Sequence, residues 1–159
     1  METSTKEWLL DGDISIQYLV HRDLLDPCED DLITLQSKIS TEGFAKKYLD
    51  LQKDNGHWGQ GYYQTKWVSS HYTLLDLRNL CVIPTEGIMK CLDLILEENR
   101  GAYDGGINPA RQVKESDICI NGMFLDYACY FGVEEEKLKP IVDFFISQQM
   151  PDGGYNCRK

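Results

Sequence analysis

Carboxylate, thiol and imidazole side chains stand at comparable places along this chain. Asp117-Ile118-Cys119 opens the largely apolar stretch from Ser116 to Phe131, and His71 lies near the start of another, from Ser69 to Val82. Glu115 precedes the first of these, and Cys157 sits in Asn156-Cys157-Arg158. Thiolate, imidazole and carboxylate are donors that zinc accepts, and a fourth position left open lets the ion activate a thiol or a water. The same residues also have a purely structural reading. Asp117 is then a helix-start carboxylate favoured by the dipole, Cys119 a small buried residue, and His71 a core or capping histidine.

The elements that would position them follow from a recurring spacing. Gln52-Lys53-Asp54-Asn55-Gly56-His57-Trp58 and Gln149-Met150-Pro151-Asp152-Gly153-Gly154-Tyr155 share the pattern Gln-x-x-x-Gly-x-aromatic, and Glu97-Glu98-Asn99-Arg100-Gly101-Ala102-Tyr103 is a weaker copy. The leading residues are 97 − 52 = 45 and 149 − 97 = 52 positions apart, a range in which periodicity means stacked supersecondary units. Each copy is read as a helix end at Gln52, Glu97 or Gln149, a turn at Gly56, Gly101 or Gly153, and a ring, Trp58, Tyr103 or Tyr155, packing back. Counting within these copies, His71 falls 13 residues after Trp58 and Cys119 falls 16 after Tyr103, which places both at the start of a helix at one end of the repeats.

Helical patterns run through nearly the whole chain and no strand is expected. Asp13–Leu25, Asp30–Ser40, Thr41–Leu51 with a bend at Gly43, Ser69–Val82, Thr85–Glu98 and Ser116–Phe131 read as helices. A last helix is expected to begin near Leu138 or Lys139, because proline is tolerated in a first turn. Its apolar face is read as Leu138, Ile141, Val142, Phe145 and Ile146, and that of Thr85–Glu98 as Ile88, Met89, Leu92, Ile95 and Leu96. Ser116–Phe131 is apolar nearly all round, the mark of a helix buried on both sides. Fully buried helices alternating with one-sided ones imply two layers, and residues 1–159 are read as one all-α domain.

Composition narrows the function. The 159 residues are 42% hydrophobic, enough for a sizeable core, and carry a net charge of −10 with no basic run. Nucleic acid is therefore a poor partner. No apolar run approaches the roughly 20 residues of a membrane span, and the first residues lack signal-peptide character, so a cytoplasmic protein is expected. Six cysteines without Cys-x-x-Cys spacing argue against a zinc ribbon or finger, and Cys81, Cys91 and Cys129 read as small hydrophobes in helical stretches.

These features resemble the α/α toroids of squalene-type terpene cyclases and protein prenyltransferase β subunits, whose repeat is Gln-x-x-x-Gly-x-Trp. The chain looks closest to uncharacterised bacterial members carrying prenyltransferase and squalene-oxidase repeats, in Lys66-Trp67-Val68-Ser69-Ser70-His71-Tyr72-Thr73-Leu74-Leu75 and Pro151-Asp152-Gly153-Gly154-Tyr155-Asn156-Cys157-Arg158. The resemblance implies an α/α toroid of helical hairpins with an apolar, isoprenoid-like ligand in its cavity. Full toroids of this kind have six hairpins, and about three are counted here. Either the toroid is truncated at its C-terminal side or half toroids close by self-association.

In the prenyltransferase β subunits an Asp-x-Cys supplies two zinc ligands and a His on a later inner helix the third. The resemblance therefore implies Zn2+ at Asp117 and Cys119, with the family's His expected beyond Lys159; His71, from its place in the repeats, is this chain's own candidate third ligand. Glu115 and Cys157 join them at the cavity rim. No Asp-x-Asp-Asp acid is present, which disfavours protonation-type cyclisation, and no residue is singled out as catalytic. Serine-hydrolase, P-loop and dinucleotide signatures are missing. Two other readings stand beside the prenyltransferase-like one: a noncatalytic ligand- or protein-binding repeat domain, and a sugar-active toroid with two carboxylates roughly 5 to 10 Å apart.

Overall fold

A computed structural model describes residues 3–110 and 113–157. The described residues are all-α, without a strand; one isolated antiparallel bridge joins Arg100 and Ile107. The helices are α1 (Thr3–Leu10), α2 (Ile14–Leu24), α3 (Glu29–Ile39), α4 (Gly43–Asp50), α5 (Ser70–Asn79), α6 (Glu86–Glu98), α7 (Ile118–Tyr130) and α8 (Glu135–Ser147). No helix among the described residues is long and apolar enough to cross a membrane.

The described residues fall into two compact units. One takes the residues up to Gln52 together with Asp76–Ile83; the other takes Lys53–Leu75 and the residues from Pro84 onward. In the first unit α2 packs on α1, α3 and α4. Asp13 organises it by capping two helices at once. Its Oδ1 accepts the Ser15 N–H at 3.0 Å at the start of α2, and its Oδ2 accepts the Phe44 N–H at 2.8 Å at the start of α4. Gly43, with φ +67°, makes this approach, and a side chain there would fall on the Asp13 carboxylate. The expected bend at Gly43 is therefore the start of α4.

The second unit carries the repeat loops. α6 buries Ile88, Cys91, Leu92, Ile95 and Leu96, with Met89 half-buried, and Thr85 caps it by accepting the Ile88 N–H at 3.2 Å. α7 packs on α8. It buries Ile118, Ile120, Asn121, Phe124, Tyr127 and Ala128, while Cys119, Asp126, Cys129 and Tyr130 are exposed. The helix expected to be buried on both sides thus has an exposed stripe, and Cys129 is not a core residue.

α8 departs from expectation twice. It begins at Glu135, before Pro140, so the proline lies inside the helix. The acidic Glu135 and Glu136 in the first turn suit the helix dipole, and Lys137 anchors the early turns by pairing with Asp93 at 2.9 Å. Its buried face is Leu138, Ile141 and Phe144, while Val142 and Ile146 are exposed. Phe145 turns toward α7 instead. It lies against Gly122, and its ring meets Tyr155 at a tilt of 45° with centroids 4.8 Å apart.

Candidate functional site

The first and last repeat loops share one set of hydrogen bonds, and the middle loop keeps part of it. In the first, Lys53 N–H donates to the His57 carbonyl at 2.9 Å, Gly56 N–H to the Lys53 carbonyl at 2.8 Å, and Asn55 Oδ1 accepts the His57 N–H at 3.1 Å. In the last, Met150 N–H donates to Gly154, Gly153 N–H to Met150, and Asp152 Oδ1 accepts the Gly154 N–H, each at 2.9 Å. The middle loop built this way is not the one centred on Gly101. There Asp104 Oδ1 accepts the Gly106 N–H at 3.1 Å, and Gly101 N–H closes the loop onto the Gly106 carbonyl at 2.7 Å. Its left-handed glycine is Gly105 (φ +79°), matching Gly56 (+88°) and Gly153 (+84°).

The residue following this turn is Trp58, Ile107 or Tyr155. Trp58 and Ile107 are buried, whereas Tyr103, the ring assigned to the middle copy by spacing, is 80% exposed. The loop glycines are 105 − 56 = 49 and 153 − 105 = 48 residues apart. Asp104-Gly105-Gly106-Ile107-Asn108 repeats Asp152-Gly153-Gly154-Tyr155-Asn156 in four of five positions. That match was the available signal, hidden by Ile107 in place of an aromatic residue.

Helices α5 and α7 each send one buried polar side chain back to this position. Trp58 N–H donates to Ser70 Oγ at 3.0 Å; Ile107 N–H donates to Asn121 Oδ1 at 2.6 Å, and Asn121 Nδ2 returns a bond to the Ile107 carbonyl at 3.0 Å. Ser70 and Asn121 are therefore equivalent, which makes Gly122, and not Cys119, the counterpart of His71.

Around Ser70 a second constellation forms that spacing did not single out. Ser70 Oγ lies 2.9 Å from His57 Nδ1, Cys91 Sγ lies 3.8 Å from the same nitrogen, and His57 Nε2 lies 3.6 Å from Glu98 Oε2. Carboxylate, imidazole and hydroxyl in this order resemble an activated nucleophile. Ser70 and Cys91 are wholly buried, however, and the Trp58 N–H occupies a Ser70 lone pair. Burial also pushes the Cys91 thiol up to about 12, away from the reactive thiolate. The group fixes the first loop.

His71 lies apart, in a box of rings. Its Nδ1 is 3.2 Å from Tyr62 Oη and 3.1 Å from Tyr127 Oη, while Tyr63, tilted, and Tyr72, in a T-shaped arrangement, flank it with centroids at 5.4 and 5.0 Å. The imidazole is fully buried, and its Nε2 has no hydrogen-bond partner. Burial lowers its pKa to about 4, so it is neutral at physiological pH, and burial likewise raises both the Tyr62 and Tyr127 phenols. Tyr63 leads toward α7. Its phenol is raised by burial first, then by the Tyr72 hydroxyl that donates to it at 2.9 Å, and further by the nearby Cys119 and Asp117.

Of the five expected rim residues, Glu115, Asp117 and Cys157 line one cleft of about 510 Å³, together with Tyr103, Asp104, Val113, Lys114, Ser116, Ile118, Phe144, Gln148 and Asn156. Cys119 sits beside it, its Sγ 2.9 Å from Cys157 Sγ. One side of the cleft is built rigidly: Asp104 accepts the Ser116 N–H and hydroxyl, both at 2.8 Å, and Asn108 Nδ2 donates to the Val113 carbonyl at 2.8 Å. The repeat spacing does not point to Asp104, Phe144, Gln148 or Asn156, which reach the cleft through the middle loop, the end of α8 and the last loop.

His71, Asp117 and Cys119 do not gather as a zinc ligand set. Among the described residues no group of three or more His, Cys, Asp or Glu side chains is placed to hold a metal ion. The His71 Nδ1 faces two phenols, and the Cys119 thiol faces Cys157. Comparison with protein-family models, curated proteins and solved structures gave no match to this chain.

Proposed function

We propose that this chain is a helical repeat protein of the prenyltransferase and terpene-cyclase kind, whose second unit binds a small, largely apolar, isoprenoid-like ligand carrying an uncharged polar end. The observation that carries this reading is the cleft beside Asp117. Its volume of about 510 Å³ falls in the range of small-molecule sites, roughly 300–1,000 Å³. Val113, Ile118 and Phe144 offer apolar surface, and Gln148 and Asn156 offer amide groups for orientation. Among the described lining residues three carboxylates, Asp104, Glu115 and Asp117, stand against one cation, Lys114. That balance repels a diphosphate and favours an alcohol. The 48- and 49-residue spacing of the loop glycines supports the resemblance to toroid repeats.

The test is thermal shift and ligand-observed NMR with isoprenoid alcohols of graded length, beside the matching diphosphates and simple sugars. Saturable stabilisation by an alcohol, lost in Phe144→Ala, is the expected result. Preference for sugars would move the reading to the sugar-active toroid. Silence from every class in a folded protein would leave the noncatalytic protein-binding reading, for which Trp67 and Val68, 69% and 60% exposed, are the surface to probe.

A further inference from the structure

From the second unit we infer that Cys119 and Cys157 form a dithiol modification site, which a low-molecular-weight disulfide converts into an intramolecular disulfide that pins one wall of the cleft. The two sulfurs lie 2.9 Å apart although the residues are 38 positions apart in sequence, and both side chains are exposed. Cys119 is the second residue of α7, and Cys157 follows the last loop. Bond formation needs an approach of only roughly 1 Å to reach disulfide length. The other cysteines lack this arrangement. Cys81 and Cys91 are buried, and Cys28 and Cys129, though exposed, have no thiol partner among the described residues.

The reaction balances with glutathione disulfide as the oxidant. A thiolate of the pair attacks one glutathione sulfur, forming a mixed disulfide and releasing one glutathione. The second thiol, after giving its proton to water, attacks the protein sulfur of that mixed disulfide and releases the second glutathione. The cysteines lose two electrons and two protons, and glutathione disulfide takes them up. In a reducing compartment such a pair is a transient, regulatory bond and not a structural staple.

The consequence lies in the cleft wall. Asn156 and Cys157 line the cleft together with Asp117 and Ile118, which belong to the start of α7. A Cys119–Cys157 bond ties these two stretches together, so the segment after Gly153 can no longer swing away. This assignment is independent of what the cleft binds.

The test equilibrates the full chain with graded glutathione and glutathione disulfide, blocks free thiols by alkylation, and maps linkages by mass spectrometry of non-reduced peptides. One Cys119–Cys157 linkage should dominate in monomeric protein, unchanged in Cys129→Ser. In Cys157→Ser, glutathione should remain on Cys119. Amide exchange over residues 152–157 should slow several-fold on oxidation. Stable glutathione adducts on both cysteines of the unaltered chain, or linkages scattered among all six, would overturn the site. A clean linkage with unchanged exchange would overturn its control of the cleft wall.

Discussion

Asn121 holds Ile107 by both of its main-chain polar atoms, accepting the N–H at 2.6 Å and donating to the carbonyl at 3.0 Å, while a further Nδ2 bond at 2.9 Å reaches the Asp117 carbonyl. This one side chain therefore joins the start of α7 to the middle repeat loop, whose other bonds shape the rigid side of the cleft. Asn121→Ala removes all three bonds and strands buried groups of Ile107. At about 1–3 kcal/mol per unsatisfied buried group, the loss should be about 3 kcal/mol, or on the order of 10 °C in melting midpoint. Differential scanning calorimetry reads it, and a loss below about 1 kcal/mol would show that the loop stands without Asn121.

The left-handed loop glycine gives a paired prediction. A Cβ on Gly105 would sit 3.2 Å from the Pro140 carbonyl oxygen, whereas one on Gly132, with the same φ of +79°, meets nothing within 4 Å. Gly132→Ala should cost only the backbone strain, about 1 kcal/mol, and Gly105→Ala clearly more because α8 must shift as well. Equal losses in chemical denaturation would mean that Gly105 serves φ alone.

These two sites also show what was readable from the chain. Helices α2 to α7 were legible because apolar periodicity and caps such as Thr85 and Asp13 act locally, whereas α1 (Thr3–Leu10) was not read and α8 starts earlier than Pro140 suggested. The first and last loops were legible because Gly56 and Gly153 stand in matching frames. The middle loop was not, since Gly101 fits the written pattern while the bonds that define the turn come from Asp104, Gly105 and Gly106. Once that frame moved by four residues, the equivalence of His71 and Cys119 dissolved with it. The ring box around His71 and the contact between Cys119 and Cys157 depend on packing between segments distant in sequence, which no spacing encodes.

A half-buried polar pair in the first unit offers a third test. Tyr48 hydrogen-bonds Asp76; burial raises the Asp76 carboxyl, and the Tyr48 hydroxyl opposes that rise by holding the charged form. Tyr48→Phe removes the opposing bond, so the Asp76 pKa should climb further, and stability at pH 7 should fall by about 1–2 kcal/mol. NMR titration of the Asp76 carboxyl carbon checks the direction, and an unmoved or lower pKa would show that the phenol does not support the carboxylate.

His71 sets the response to acid. Its imidazole has a pKa lowered by burial to about 4, against about 6.5 when unfolded. The unfolded chain therefore binds a proton that the folded chain refuses across this window, and stability rises with pH there. Its contribution is complete above the unfolded value and is lost progressively as pH falls toward about 4, amounting to about 2 kcal/mol between pH 7 and pH 5. Nδ1 is already engaged by two phenols and Nε2 has no acceptor in reach, so nothing in the box compensates an added charge. Urea midpoints at pH 7 and pH 5 should differ accordingly, and His71→Asn, which cannot titrate, should flatten the difference while lowering stability at both. If the variant keeps the same pH slope, other groups govern the acid response and the ring box tolerates imidazolium.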